Sequence, residues 1–436
     1  MTENRKLIPM EQGMEMFNRL ANSLNVVIIS RIRGSLNEEI VRQALDIVQI
    51  RHPRLNCHIV GSLDDLRFET ENTQKVSLRI VDNLDSEHWK SVAIDELNSK
   101  IESEKVLIRS VLVKTGDSNV NYFITTVHHA IIDAISGIYL HSEIFSICHK
   151  ILRDNKLPSI SKLAVLPSLE DLLPKIVTVN PQDKQTDKKI KTLEFEKYLP
   201  NELRSCGLIH KKLAPELTKR IVSYSKAENT TVHGVLCTAM LLAVAEQIKS
   251  EDGSLHLSCR SSVDLRRRLN PLVSDENIAM VVSALTSFHE MRKDKPFGEV
   301  AREVTQQIKE KLETSEIYNV VLSYKKGTEF LLTNPEQVPF SVFITNIGRV
   351  RIPSDYGSFK LEEISYALST TAMGSVFALA ASTFEEEMVL NFIYSQPAIS
   401  QDTINTLINS TISILFQGVS GNLFSTVDLI KKSRES

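Results

Sequence analysis

The chain has no C-x-x-C pair; its five cysteines, Cys57, Cys148, Cys206, Cys237 and Cys259, are odd in number and far apart. That spacing supports neither a disulfide framework nor a zinc site, and a reducing compartment is the expectation. There is no G-x-x-x-x-G-K-[ST] and no G-x-G-x-x-G, so nucleotide phosphates have no visible cradle. The G-x-S-x-G elbow of a nucleophilic serine is missing as well. A formal net charge of -3 offers no general attraction to nucleic acid or anionic lipid. The longest apolar stretch, Val235 to Ala245, is too short to cross a bilayer and contains Thr238. Residues Met1 to Gly13 lack the basic-then-apolar plan of a secretory signal, so a cytoplasmic protein is expected.

What remains is an ordinary globular composition, 42% hydrophobic and 24% charged over 436 residues. That length exceeds what one hydrophobic core usually supports, and two domains are the expectation. Leu36, Ile40, Val41, Ala44, Leu45 and Val48 recur at helical intervals after the capping-box spacing Ser35-Leu36-Asn37-Glu38, until His52-Pro53 stops the pattern. Val26 to Arg31 and Leu55 to Val60 flank this helix as strands. Leu66 to Glu71, Val76 to Val81, Val106 to Lys114 and Val120 to Val127 read as further strands, with a helix over Ser86 to Ser103. A helix carrying Ile135, Ile138, Phe145, Cys148 and Ile151 follows.

Pro158, Pro167, Pro174 and Pro181, then the polar run Gln182 to Lys189, read as a crossover linker. The expected division is therefore 1–155, a linker over 156–194, and 195–436. The second half repeats the mixed pattern: a helix over Thr231 to Ile248, a strand Leu255 to Cys259, and an amphipathic helix from Phe297 to Leu312. Ser341 to Ile347 reads as a strand, Ser375 to Ser382 with Met388 to Tyr394 as a hairpin, and a closing helix is expected to end at Gly418.

One place declares a chemistry: His128 and His129, with Asp133 four residues after the second. An imidazole titrates near neutrality, so a positioned histidine can take a proton and return it within one cycle. The run follows a strand and precedes a helix, where α/β sheets present catalytic groups. The bland alternative is a core histidine satisfied by backbone. Adjacent residues on a strand point to opposite faces, so His128 and His129 are poorly placed to grip one metal ion, which disfavours a metal-dependent hydrolase. Asp133 could orient the imidazole or pair with an arginine elsewhere, and spacing alone does not separate the two.

The run His128-His129-Ala130-Ile131-Ile132-Asp133 resembles the HHxxxD signature of the chloramphenicol-acetyltransferase-like superfamily, which includes condensation domains and polyketide-associated acyltransferases. Ser258-Cys259-Arg260 resembles the Ser-Gly-Arg strand of condensation domains, and Val263-Asp264-Leu265-Arg266 the V-D-L-R segment of the stand-alone acyltransferases. Thr345-Asn346-Ile347-Gly348-Arg349-Val350 is similar to their S-N-x-G-x-V strand, and Arg51-His52-Pro53-Arg54-Leu55 to the family's amino-terminal segment. Among members, the phthiocerol dimycocerosyl transferase type is similar in length and plan.

The resemblance implies an α/β fold of mixed sheets in two lobes with a channel between them. It implies His129 as general base, with His128 beside it, for transfer of an acyl group from a thioester on coenzyme A or a carrier protein to a hydroxyl or amine. No covalent intermediate, metal or further cofactor is implied, and no second copy of the chain. Asp133 is expected to pair with Arg260, with Arg266 as second candidate, and Asn346 and Gly137 are expected along the channel. Most relatives place Gly after the motif's Asp, whereas Ala134 stands here, which either narrows the channel or is simply a tolerated methyl; the plant-type D-F-G-W-G segment is absent. Arg266-Arg267-Arg268 could meet coenzyme A phosphates or an acidic carrier, or be a solvated loop. A member that has lost turnover and kept the channel as a docking module is the rival class.

Overall fold

A computed structural model describes residues 3–34, 36–82, 85–117, 119–174, 189–249, 254–292 and 294–420. Pro181 and most of the polar run Gln182 to Lys189 lie outside them. The first half runs β1 (Arg5–Lys6), α1 (Pro9–Ala21), β2 (Asn25–Gly34), α2 (Glu38–Arg51), β3 (His58–Val60) and β4 (Arg67–Glu69). It continues with β5 (Ser77–Asp82), α3 (His88–Asn98), β6 (Ile108–Lys114), β7 (Val120–His128), α4 (Ala134–Asp154) and the single turn α5 (Leu169–Leu172). The second half opens with β8 (Ser205–Lys212), α6 (Pro215–Ala227), α7 (Val232–Gln247), β9 (Ser254–Asp264), β10 (Val282–Arg292) and α8 (Phe297–Leu312). It closes with α9 (Glu316–Thr333), β11 (Val342–Arg349), β12 (Phe359–Leu368), β13 (Phe377–Phe384), β14 (Glu387–Gln396) and α10 (Gln401–Val419).

Local chemistry accounts for most of these bounds. Asn37, rather than Ser35, caps α2, its side chain accepting from the backbone N–H groups of Glu39 and Ile40. Ser35 itself lies outside the described residues. α10 runs through Gly418 to Val419 instead of ending there, because a side chain at 418 would meet the Phe297 ring at 2.8 Å; the glycine serves packing. Of the strand expected over Leu55 to Val60, only His58–Val60 forms.

Two mixed sheets carry the structure, in orders β12-β2-β7-β6-β5 and β10-β9-β11-β13-β14-β8, beside a small sheet β1-β4-β3. β7 lies between β2 and β6, and all nine of its residues are buried, as befits a strand covered on both faces. The expected lobe 195–436 is not closed on itself. β12 leaves it and pairs antiparallel with β2 from Phe359 opposite Gly34 to Leu368 opposite Val26, completing the first sheet. The Tyr366 hydroxyl on β12 donates to the Thr345 carbonyl of β11 at 2.8 Å, and Asn391 of β14 donates to the Tyr366 carbonyl at 2.8 Å, so this strand also stitches the two sheets together.

The cores repeat that pattern. One apolar cluster joins Val27, Ile124 and Phe145 of the first half to Leu265, Leu285 and Ile317 of the second, whereas the other stays within the second half around α7, Phe377 and Phe392. Among the described residues no helix is long and apolar enough to cross a membrane.

Candidate active site

The chain leaves β7 at His128, whose backbone N–H donates to the Leu107 carbonyl at 2.9 Å. A turn closed by the Ile131 N–H on the His128 carbonyl then leads to Asp133, the N-cap of α4. The two histidines part company in that turn. His128 is sealed inside: the Ala130 N–H donates to its Nδ1 at 3.1 Å, so Nε2 carries the proton and donates to Glu15 at 2.7 Å. Glu15 is fully buried and also accepts from Ser103 at 2.5 Å and Arg19 at 2.6 Å. Burial pushes its carboxyl up, but the donors from His128, Ser103 and Arg19 outweigh it and hold the group down at about 2. Every polar atom of the His128 ring is committed, so its expected catalytic place is corrected to a structural one.

His129 faces the other way. Its Nδ1 donates to the Ile132 carbonyl at 2.7 Å, and because a carbonyl can only accept, the proton is fixed on Nδ1 and Nε2 keeps its lone pair. The ring is half-buried and lines a cavity of about 820 Å³. Burial lowers its pKa below 6.5, with the Ile132 carbonyl and Asp133 pulling the other way, so the imidazole is neutral at pH 7. The arrangement presents an unprotonated nitrogen to a cavity, which is what a general base needs.

Both halves of the chain build that cavity. Met10, Met14 and Phe17 of α1 line it from one side, and Ala284 of β10, Tyr324 of α9 and Phe343 of β11 from the other. α1 can lie against α9 because Gly13 has no side chain; a Cβ there would stand 2.7 Å from both Thr328 and Tyr324. Sequence reading missed α1 although Met10, Met14, Phe17 and Ala21 recur at helical intervals, and missed α9, whose interior Gly327 weakens the pattern.

Asp133 ties the halves together. It accepts two bonds from Arg266, at 2.8 and 2.9 Å, one from the Ser136 N–H at 2.9 Å and one from the Val281 N–H at 3.0 Å. Burial works against its charge, and Arg266 outweighs burial, leaving the carboxyl below the usual range. Arg266 in turn reaches Ser136 at 2.6 Å and Asp264 at 3.0 Å. The pair is buried on both sides, so removing Arg266 would strand the Asp133 charge at a cost of about 3 to 5 kcal/mol, whereas Arg266 keeps Asp264 when Asp133 is removed. The expectation that Arg260 holds Asp133 is thereby overturned: Arg266 follows β9 and reaches the loop, whereas Arg260 lies within the strand and donates to Thr286 at 3.0 Å.

The remaining expected residues separate. Arg260, Asn346 and Ala134 line the cavity, and Asn346 also accepts from the Gly348 N–H at 2.9 Å. Gly137 is not among the lining residues. It sits where α4 crosses β2, and a Cβ would stand 2.5 Å from Ile28, so its role is packing and its place along the channel is corrected. Arg267 and Arg268 are exposed. His141 lies between Ser30 and Thr125, each at 2.8 Å, and His233 meets Ser261 at 2.8 Å, so neither joins the site. Among the described residues no group of three or more His, Cys, Asp or Glu side chains converges as metal ligands would.

Comparison with known proteins bears on the fold that carries this site. A condensation-domain family model matches residues 2–164, and a model of the phthiocerol/phthiodiolone dimycocerosyl transferase C-terminus matches 206–396. A search of curated protein sequences returned no match. Solved structures with the same fold include the trichothecene 15-O-acetyltransferase of Fusarium sporotrichioides, at TM-score 0.74 and 15% identity over 95% of both chains. Polyketide synthase associated protein 5 of Mycobacterium tuberculosis gives 0.71 and 14% over 96% of this chain and 98% of its own. The epimerization domain from the third module of tyrocidine synthetase B gives 0.71 and 16% over 98% of each. One family model, the condensation domain, matches most of the first half, another, the phthiocerol/phthiodiolone dimycocerosyl transferase C-terminus, matches most of the second, and the two-lobed α/β fold throughout is the one found in condensation domains and polyketide-associated acyltransferases.

Proposed function

We propose that the protein transfers an acyl group from a thioester, carried on coenzyme A or a carrier protein, to an acceptor hydroxyl, with amine acylation as a close variant. The observation that carries the reading is the His129 tautomer: a proton held on Nδ1 by Ile132 and a free Nε2 at a cavity lined from both halves of the chain. Nε2 takes the acceptor's proton as its oxygen attacks the thioester carbonyl. The tetrahedral intermediate then collapses, the C–S bond breaks, and the imidazolium returns the proton to the departing thiolate, giving ester and free thiol. No acyl-enzyme intermediate and no cofactor beyond the donor is required. The hydroxyl of Ser262 lines the same cavity and is a candidate donor to the oxyanion. Asp133 and Arg266 act by holding the motif loop on the second half, not by touching substrate.

Free-thiol release from a panel of acyl-coenzyme A donors, with and without alcohols, tests the reading. Alcohol-dependent release with formation of the ester supports it. Release that needs no alcohol and is abolished by a chelator would replace it with metal-dependent hydrolysis, and binding without turnover would leave a docking module.

A further inference from the structure

α9 carries a glycine that neither its conformation nor its packing calls for. Gly327 stands well inside the helix, where glycine is a poor helix former, and its backbone is helical rather than left-handed. Packing accounts for Gly13, Gly137 and Gly418, where a Cβ would press on Tyr324, Ile28 and Phe297 at 2.8 Å or less. At Gly327 a Cβ would meet no atom of the described residues within 4 Å.

What Gly327 does border is the catalytic cavity. Val320, Ser323, Tyr324, Gly327, Thr328 and Leu331 recur at helical spacing and form one wall of it. Ser323, Gly327 and Phe330 line the cavity and are exposed as well, which puts the glycine where that wall is open. Phe330, one turn further along α9, leaves an apolar ring 55% exposed, and Val338, Phe340 and Phe343 add apolar surface to the same space. A larger residue at 327 would fill the gap. In a helix a long side chain leans back over the preceding turn, which here carries Ser323 and Tyr324.

We propose that Gly327 is a specificity-determining residue: its missing side chain leaves room for an apolar chain of the substrate, on the acyl group or on the acceptor, which covers the exposed Phe330 ring. The assignment rests on the acyl-transfer reading for its meaning, but not for its first test. Calorimetric titration with 1-octanol reads binding in the absence of turnover, and the wild type binds it saturably. Gly327→Leu weakens that binding about 10-fold, the loss expected when about two methylenes can no longer be buried. The same loss is seen in a His129→Ala background. Gly327→Ala binds octanol as the wild type does and melts no lower, because alanine favours the helix and its methyl enters open space. Lys326→Leu, which puts the same side chain on an exposed neighbour outside the cavity wall, leaves octanol binding unchanged.

Kinetics then locate the chain. Decanoyl- against butyryl-coenzyme A varies the acyl side, and 1-octanol against ethanol varies the acceptor. Gly327→Leu raises KM for the longer member of one pair and leaves its shorter member unchanged. A wild type that does not bind octanol, octanol binding unchanged or tighter in Gly327→Leu, or a Gly327→Ala protein that melts lower, would overturn the proposal. Because the titration needs no catalysis, a protein that shows the octanol effect and transfers nothing would contradict the acyl-transfer reading alone.

Discussion

His128 and His129 are neighbours in sequence, but they belong to two different regions of the molecule. His128 ends a buried strand and enters a sealed polar pocket where Glu15, Ser103 and Arg19 exhaust its hydrogen-bonding capacity and that of its partner. His129 turns onto the cavity with one nitrogen bound and the other open. The difference shows that a tandem histidine need not be a tandem of catalysts. The first ring anchors α1 beneath the sheet, and the second is presented by the loop that the first helps to hold.

That contrast can be broken by substitution. His129→Ala is expected to lower transfer by about 10²- to 10⁴-fold, the usual contribution of a positioned base, with an unchanged thermal melting curve. Arg266→Met is expected to cost about 3 to 5 kcal/mol in a urea titration by stranding Asp133, while Asp133→Ala costs less because Asp264 still meets Arg266, and the double change costs less than the sum of the two single changes. His128→Ala should cost about 1 to 3 kcal/mol by leaving the buried Glu15 without one of its donors. Its transfer rate should fall far less than that of His129→Ala, as steady-state kinetics on the two variants would show. A His128 variant that melts normally and loses transfer as deeply would erase the distinction.

Much of the architecture is legible in residue pattern. The α2 periodicity, the closely buried β7, the β13–β14 hairpin and the strand-to-helix position of the motif all follow from local spacing. β12 does not, because a register shift between Leu361 and Glu363 breaks the two-residue alternation just where Glu362 and Glu363 enter. Its pairing with a strand more than three hundred residues earlier has no local signal either. The site divides in the same way. The half-turn that fixes the His129 tautomer lies within four consecutive residues, so the motif is enough to locate it. Glu15 as the partner of His128, and Arg266 rather than Arg260 as the partner of Asp133, depend on how distant segments meet, which spacing along the chain does not encode.

The account turns on His129 being neutral, with Nε2 available as the base. The pH dependence of kcat/KM tests this most directly. Only the deprotonated ring can accept a proton, and burial lowers its pKa from 6.5, so activity should rise with pH through a midpoint below 6.5 and level off above it. A midpoint above 6.5, or the same acid limb retained in the residual activity of His129→Ala, would contradict it.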